Sequence, residues 1–399
     1  MTLRRLFLLL STLTFLAACN QSTDLPAAEL EAQFGTPLND SAEAVATDPR
    51  RGAVYVAGVD SADLTYPYES GGNIFLRRYN RDGTLVWRKR LVSTPGLGLS
   101  VAGLHTDASG NVYVGWSLFS DNGSEGAALQ KFDPSGKQRY RVDIVDGLRD
   151  FELDAAGNAY VSGLNDHDGT IDRQRQFVRK YDARGVLVWA RERVYDDYGE
   201  PSGVEVPTPQ TLSPAVDGSL YVTGVLDGPV LTKYSRTGHV LWQRTLPRAF
   251  SHATVASVAN DVYLVNLGRA AGQGGRVPVL KYDASGKRVL NSAFPSTEAV
   301  NPRAFRADAA GDLYLAGDLV RSSDTDLFVR KYTPALQTVW TYTPRLKGTR
   351  EYASEVALTD SSSVFVVGAT DGKVNGKNFG ELDAFLLRLD SQGKRVWSR

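Results

Sequence analysis

The chain has 399 residues, with 45 basic and 45 acidic side chains, so its formal net charge at neutral pH is zero. No Lys/Arg run breaks that balance, which leaves nucleic-acid binding without its usual electrostatic footprint. One cysteine and one methionine leave no intramolecular disulfide and no thiolate cluster for metal or redox chemistry.

Read from its start, the chain opens with a targeting segment. Arg4 and Arg5 precede the apolar stretch Leu6–Leu16, which falls short of the roughly 20 residues a membrane span needs. It ends in Leu16-Ala17-Ala18-Cys19, which resembles the lipobox of bacterial lipoproteins. That resemblance implies that residues 1–18 are a signal peptide and that Cys19 carries the lipid. A plain secretory leader with an incidental cysteine is the competing reading. Each buried methylene of an acyl chain contributes about 0.8 kcal/mol, so several chains make a firm anchor. Asn20, standing where an Asp would retain the protein at the inner membrane of enteric bacteria, favours the outer membrane or cell surface. Loss of Met1 with the leader leaves a mature chain without oxidisable sulfur, as suits an extracytoplasmic place, although compositional drift would produce the same. Residues 19–32, polar with Pro26, read as a tether, and residues 33–399 as one folded domain.

That domain repeats with a period of about fifty residues. Seven segments follow the pattern basic-aromatic-Asp-x-x-Gly-x-x-x-Trp: RYNRDGTLVW to Trp87, KFDPSGKQRY to Tyr140, KYDARGVLVW to Trp189, KYSRTGHVLW to Trp242, KYDASGKRVL to Leu290, KYTPALQTVW to Trp340 and RLDSQGKRVW to Trp397. The glycine is replaced by Leu336 in the sixth copy. Upstream, an aromatic residue stands in a short apolar run: Tyr55, Tyr113, Tyr160, Tyr221, Tyr263, Tyr314 or Phe365. Before it, five copies have a segment ending in Asp. Each copy therefore reads as four short strands, A to D, rich in β-branched and aromatic residues and separated by turn residues. The leader aside, helical periodicity is absent. The expectation is an all-β chain: a seven-bladed β-propeller of four-stranded antiparallel blades, with a linear solenoid as the alternative.

Asp133-Pro134-Ser135-Gly136 has the residues a type I turn with a left-handed exit prefers. The missing glycine of the sixth copy predicts a strained or altered turn there. Five of the six tryptophans occupy the D-strand position, as blade-to-blade staples would, with Tyr140 and Leu290 as weaker substitutes. The chain stops at Trp397-Ser398-Arg399, in the middle of a strand D. Gln33-Phe34-Gly35-Thr36 carries the sequence that should follow, so the N-terminal segment is expected to close the ring and remove its open edge.

DASGNVYVGW (107–116), DAAGNAYVSG (154–163), QFVRKYDARGVLVW (176–189) and DLFVRKYTPALQTVW (326–340) resemble the repeats of the SBBP family, bacterial seven-bladed propellers. The resemblance runs from about residue 33 to 399 and departs at Asn266 and Leu290. A looser likeness, through D-x-x-x-G-x-x-x-W, is to quinoprotein propellers, whose usual eight blades argue against that class.

Functional residues are sought where the repeat leaves a residue unexplained. The A–B and C–D connections are tight turns on one face, whereas the B–C and D–A connections vary and lie on the other. The variable loops, including 59–73, 117–127, 164–176, 195–210, 318–326 and 369–383, are rich in Asp and Glu. An acidic face suits cations, amines or basic partners, or simply keeps the loops solvated. Tyr66, Tyr68 and Trp116 could form a stacking platform for a sugar; Trp116 fills a slot that is Gly in five other copies, and local packing is the reading set against ligand contact there. Asp166, Asp168 and Asp172, beside Gly169, partly match an oxygen-rich calcium loop, though a polar loop needs no metal. Two residues before the turn Asp, on the strand that lines the channel of a propeller, the copies carry Ala46, His105, Glu152, Arg306 and Leu358. His105, Glu152 and Arg306 could form a central site or a hydrated lining. The basic residue that opens each pattern is read as a partner of turn aspartates.

No nucleophile motif, phosphate loop or histidine metal spacing accompanies the repeat. The expected function is a non-catalytic, lipid-anchored binding or scaffold module of the cell envelope. It is read as a monomer that takes a protein or glycan on its variable face, without an obligatory cofactor. Assembly of outer-membrane proteins is a further role, by likeness to the propeller lipoprotein of that machinery. The alternative is a propeller enzyme, a lyase or hydrolase using channel residues with or without calcium.

Overall fold

The computed structural model describes residue 34 and residues 36–399, apart from 49, 63–71, 95–96, 121–122, 166–174, 196–200, 204–207, 268–275, 297, 321–324, 345–347, 360–362 and 373–377. Its strands, β1 to β29, form seven antiparallel sheets, six of four strands and one of five. Each sheet is one sequence copy, laid out in the order A-B-C-D. The A strands are β1 (Asn39–Thr47), β5 (Gly98–Thr106), β9 (Gly147–Leu153), β14 (Thr208–Pro214), β18 (Ala253–Val258), β22 (Val300–Ala307) and β26 (Glu351–Leu358). Each packs on the A strand of the next copy, and β26 packs on β1, so the sheets form a closed ring around a central channel.

Burial follows from this layout. In the fourth blade, strands β15 (Leu220–Val225) and β16 (Pro229–Tyr234) are covered on both faces and read as continuous apolar runs, while the outer strand β17 (Val240–Thr245) is mostly exposed. The core is correspondingly divided into apolar clusters between neighbouring blades, such as the one joining Tyr55, Ile74 and Leu76 to Leu104, Val114 and Phe132.

The repeated residues are the bonds between blades. Trp87, Trp189, Trp242, Trp340 and Trp397 each donate the indole N–H to the carbonyl two residues before the turn position of the following blade, on Pro134, Arg236, Ala284, Ser391 and Arg81, at 3.0–3.1 Å. A Cβ on Gly136, Gly238, Gly286 or Gly393 would meet the incoming Trp ring at 2.5–3.2 Å. These glycines are needed for that close approach as well as for their positive φ. On strand B, the hydroxyls of Tyr55, Tyr113 and Tyr160 donate to Gly110, Gly157 and Gly218 in the A–B turn of the next blade, at 3.1–3.3 Å. The basic residue of the pattern pairs with a carboxylate of the A–B turn in five blades: Lys131–Asp107, Lys180–Asp154, Lys233–Asp217, Lys281–Asp261 and Lys331–Asp312.

The turn of the sixth copy is strained, as expected, yet keeps the shape of the others. Thr333 N–H bonds the Gln337 carbonyl and Leu336 N–H bonds the Thr333 carbonyl, both at 2.9 Å, as in the glycine-bearing turns. Leu336 adopts φ +62° to do so. The ring that would sit on this position is missing, because the preceding blade has Leu290 in place of Trp. Leu336 is buried in the space, in a cluster against which Leu290 packs. The left-handed conformation costs a side-chain-bearing residue about 1–2 kcal/mol, and burying a Leu returns about 1.5–3 kcal/mol. Packing therefore offsets the strain.

Two further expectations change. Residues 117–127 and 318–326 were expected as variable loops, yet are mostly strand: β6 (Val112–Ser120) with β7 (Gly123–Phe132), and β23 (Leu313–Val320) with β24 (Thr325–Tyr332), form long hairpins. Segment 195–210 supplies β13 (Pro201–Gly203), a fifth strand on the outer edge of β12 (Leu187–Tyr195).

Ring closure is as expected. The last strand, β29 (Arg395–Ser398), continues to Arg399, which exchanges both backbone hydrogen bonds with Leu386 of β28 (Asp383–Leu389). Phe34 N–H then bonds the Ala384 carbonyl, so the N-terminal segment extends the same outer strand. From there the chain enters β1 of the first blade. Arg399 donates to the Gly83 and Asp82 carbonyls of that blade at 2.8 and 3.1 Å.

Candidate functional site

Every A strand except β18 contains an irregularity of register against its B strand. A bulge leaves an amide without a ladder partner, and a buried amide needs one. Carboxylates of the preceding blade supply it: Glu43 accepts from Val101 N–H at 2.7 Å, Asp150 from Leu212 N–H at 2.7 Å and Asp318 from Ala353 N–H at 3.2 Å. Glu43 and Asp150 sit on the channel-lining A strands, whereas Asp318 is a buried residue of the B strand β23.

Opposite the repeated aromatics, the A strands place Ala46, His105, Glu152, Ser213, Ala256, Arg306 and Ala357 at one level. In the seventh blade this is Ala357 rather than Leu358, because the turn there begins at Thr359. His105, Glu152 and Arg306 come together. His105 Nδ1 lies 3.4 Å from Glu152 Oε2, and Arg306 Nη2 lies 3.9 Å from Glu152 Oε1 and 3.2 Å from Glu355 Oε2. Glu355 and the wall carboxylates Glu43 and Asp150 were not singled out from the sequence. The bulge shifts the alternation of each A strand, so counting back from the turn does not reach them; acids recurring four or five residues before the turn were the available signal.

Burial sets the ionisation of this cluster. It pushes the Glu43 carboxyl up to about 7, and the single peptide N–H it accepts only partly counters that. Burial, together with the charge of Glu152, raises Asp150 well above the usual carboxylate range. It also lowers His105 below its ordinary value, against the pull of Glu152. For Arg306 burial works against the charge, but Glu355, Glu152 and Asp150 outweigh it and hold the guanidinium protonated. The row His105–Glu152–Arg306–Glu355 presents paired charges to the channel and can meet a charged or polar group there.

Above this cluster, on the face of the B–C and D–A connections, the channel widens into an open cavity of about 720 Å³. It is built from the first residues of the A strands in the second to fifth blades and from the hairpin of the second. Ser100, Arg149, Gln210, Thr211, His252 and Thr254 give it polar walls, and Leu118, Phe119, Leu148 and Leu267 apolar ones. Gln210 is oriented by donating to the Ser251 carbonyl at 2.6 Å, and Thr211 by the Thr223 hydroxyl at 2.9 Å.

The other sequence candidates lie elsewhere. Trp116 is only 2% exposed. Its indole donates to Gln130 Oε1 at 2.8 Å, and the ring is packed among side chains of the first and second blades, with no open face for a sugar. Packing is the reading that applies to it. Tyr66, Tyr68, Asp166, Asp168, Asp172 and Cys19 fall outside the described residues. Among the described residues, no group of three or more His, Cys, Asp or Glu side chains is placed to hold a metal.

No protein-family model matches the chain, and neither does any curated protein. Among solved structures, the WD40 domain of Pan2 from Neurospora crassa superposes with a TM-score of 0.51 at 10% identity, over 86% of this chain and 88% of that one. A protein of unknown function from Bacteroides caccae aligns with a TM-score of 0.38 at 13% identity, over 65% of this chain and 92% of that one. The likeness to the Pan2 domain is one of fold, a WD40-like seven-bladed propeller.

Proposed function

We propose that the protein is a non-catalytic binding module, anchored by lipid at Cys19 in the cell envelope, that takes a protein or glycan at the channel mouth on its loop-bearing face. The cavity of about 720 Å³ carries this reading, because it opens where the blades differ most in sequence and connection length. A rigid ring supporting variable loops is an arrangement well suited to recognition. Polar groups held in place by backbone contacts, such as Gln210 and Thr211, would fix the orientation of a ligand lying on the apolar walls. The SBBP likeness and the lipobox support an envelope setting.

The test is a plug. Ser100→Trp, at a half-buried residue that lines the cavity, should obstruct the mouth, and the variant should retain less than a tenth of the envelope protein or glycan that the parent binds, at a melting temperature close to the parent's. Equal retention would overturn the assignment. The enzyme reading has one observation in its favour, the contact of His105 with Glu152 beside Arg306. Under that reading Glu152→Gln would abolish turnover of a substrate that still binds.

A further inference from the structure

The acidity expected of the variable face is not found in the cavity. Among the described residues that line it, the ionisable side chains are Arg149 and His252, both exposed. The channel carboxylates Glu43 and Asp150 each accept from a backbone amide, of Val101 and Leu212, and neither lines the cavity. Arg149 is the extra residue of the bulge on β9, between Leu148, paired with Gly163, and Asp150, paired with Ser162. Arg303 holds the same place on β22, between Pro302, paired with Gly317, and Ala304, paired with Ala316. There the residue after the glycine is Asp318, which binds Arg303 Nε at 2.8 Å. In the third blade the residue after Gly163 is Leu164, which lines the cavity. Arg149 therefore lacks the carboxylate that neutralises its counterpart, and it has no hydrogen bond or ion pair among the described residues. Two bulges of one kind thus carry one paired arginine and one unpaired, and the unpaired one stands at the cavity. His252 is a second donor there. Its Nδ1 lies 3.1 Å from the Ser251 hydroxyl, which leaves Nε2 for a ligand, and the Ser251 carbonyl also orients Gln210.

Resting on the reading of the mouth as the binding site, we propose that its ligand is an acidic glycan, of which a uronate chain is the simplest case. A sugar carboxylate pairs with Arg149, whose planar fork matches its two oxygens, and His252 donates to the same chain from the fifth blade. Ser100 and Gln210 meet sugar hydroxyls, and Leu118 and Leu148 lie against the C–H faces of the rings. A neutral glycan gains the hydroxyl and apolar contacts without the charge, and an acidic peptide gains the charge without the hydroxyls. The cations therefore set the choice among glycans. Leu164 contributes by what it is not: an Asp in its place, as in the sixth blade, would turn Arg149 onto the protein itself.

Calorimetric titration with cellotetraose and with its uronate counterpart, in which each hydroxymethyl group is oxidised to a carboxylate, tests this. The acidic sugar should bind about ten-fold more tightly, as a charged hydrogen-bonded pair with a guanidinium gives. Leu164→Asp should erase the preference by pairing Arg149 internally, and Arg149→Gln should erase it by removing the charge. Equal binding by the parent, binding of neither sugar, or a preference that survives either variant overturns the proposal, as does equally tight binding of a tetra-aspartate peptide. Ser100→Trp separates this from failure of the mouth reading. Equal binding of the two sugars that the plug abolishes leaves the mouth standing without its anionic specificity, whereas a preference for the acidic sugar that persists in the plugged protein contradicts both.

Discussion

At the scale of single residues, two departures from the repeat form a pair. Leu290 and Leu336 are separate anomalies in the sequence, a missing Trp and a missing Gly. In the fold they are one event, since the absent ring leaves the space that Leu336 fills. A double-mutant cycle should show the link. Leu290→Trp alone should destabilise by crowding Leu336, and Leu290→Trp with Leu336→Gly should recover most of the loss, a coupling of about 1–3 kcal/mol. Strictly additive effects in thermal or denaturant unfolding would contradict it. Glu43 makes a separate prediction from its raised pKa. The folded state favours its protonated form, so the stability it confers is full below 4.5 and is lost as the pH rises through about 7. Glu43→Gln should melt like the parent near pH 4 and above it at about pH 8. A difference that does not change with pH would argue against a buried, uncompensated carboxyl. Trp116 is the residue that the sequence could not place. Its position against the other copies marked it as exceptional, but whether a ring is exposed depends on the neighbouring blade, which no single copy contains.

At the scale of elements, the four-strand unit and its turns were legible because each rests on short-range chemistry: short apolar runs around an aromatic, Asp-x-x-Gly turns and a fixed Trp offset. What was not legible depends on contacts between copies. The third blade's fifth strand, Pro201–Gly203, came from a segment read as loop, and the hairpin of the second blade came from another. A second clasp was also missed. Two residues after the Trp, Arg191, Arg244 and Arg399 donate through Nε to the turn glycine carbonyl of the next blade at 2.7–2.8 Å. Recurrence of Lys89, Arg191, Arg244 and Arg399 at that offset was the available signal. The composite outer strand of the last blade was read correctly, because both of its halves carry parts of one consensus. Deletion of residues 31–38 should lower the melting temperature of the whole ring by about 5–10 °C, since it removes Phe34 from its contacts with Phe75 and Tyr79 and frees the edge of β28. An unchanged melting temperature would mean that the ring closes without it.

At the scale of the whole molecule, the two faces divide the work. One carries the tight turns, where the repeated Tyr, Lys and Trp side chains bond each blade to the next. The other carries the connections that vary, the cavity and, beneath it, the charged channel. Three of the channel side chains were legible from their common offset before the turn; the other carboxylates were hidden by bulges that only strand pairing reveals. The central claim is that the repeat supplies stability while the channel mouth supplies recognition. It is tested most directly by reading melting temperature and ligand retention together on Trp189→Ala and Ser100→Trp. Trp189 is buried and bonded to Arg236, so its removal should cost about 3–5 kcal/mol while the folded fraction binds as the parent does. The plugged variant should melt with the parent and lose binding. Binding lost with Trp189, or kept behind the plug, would contradict the account.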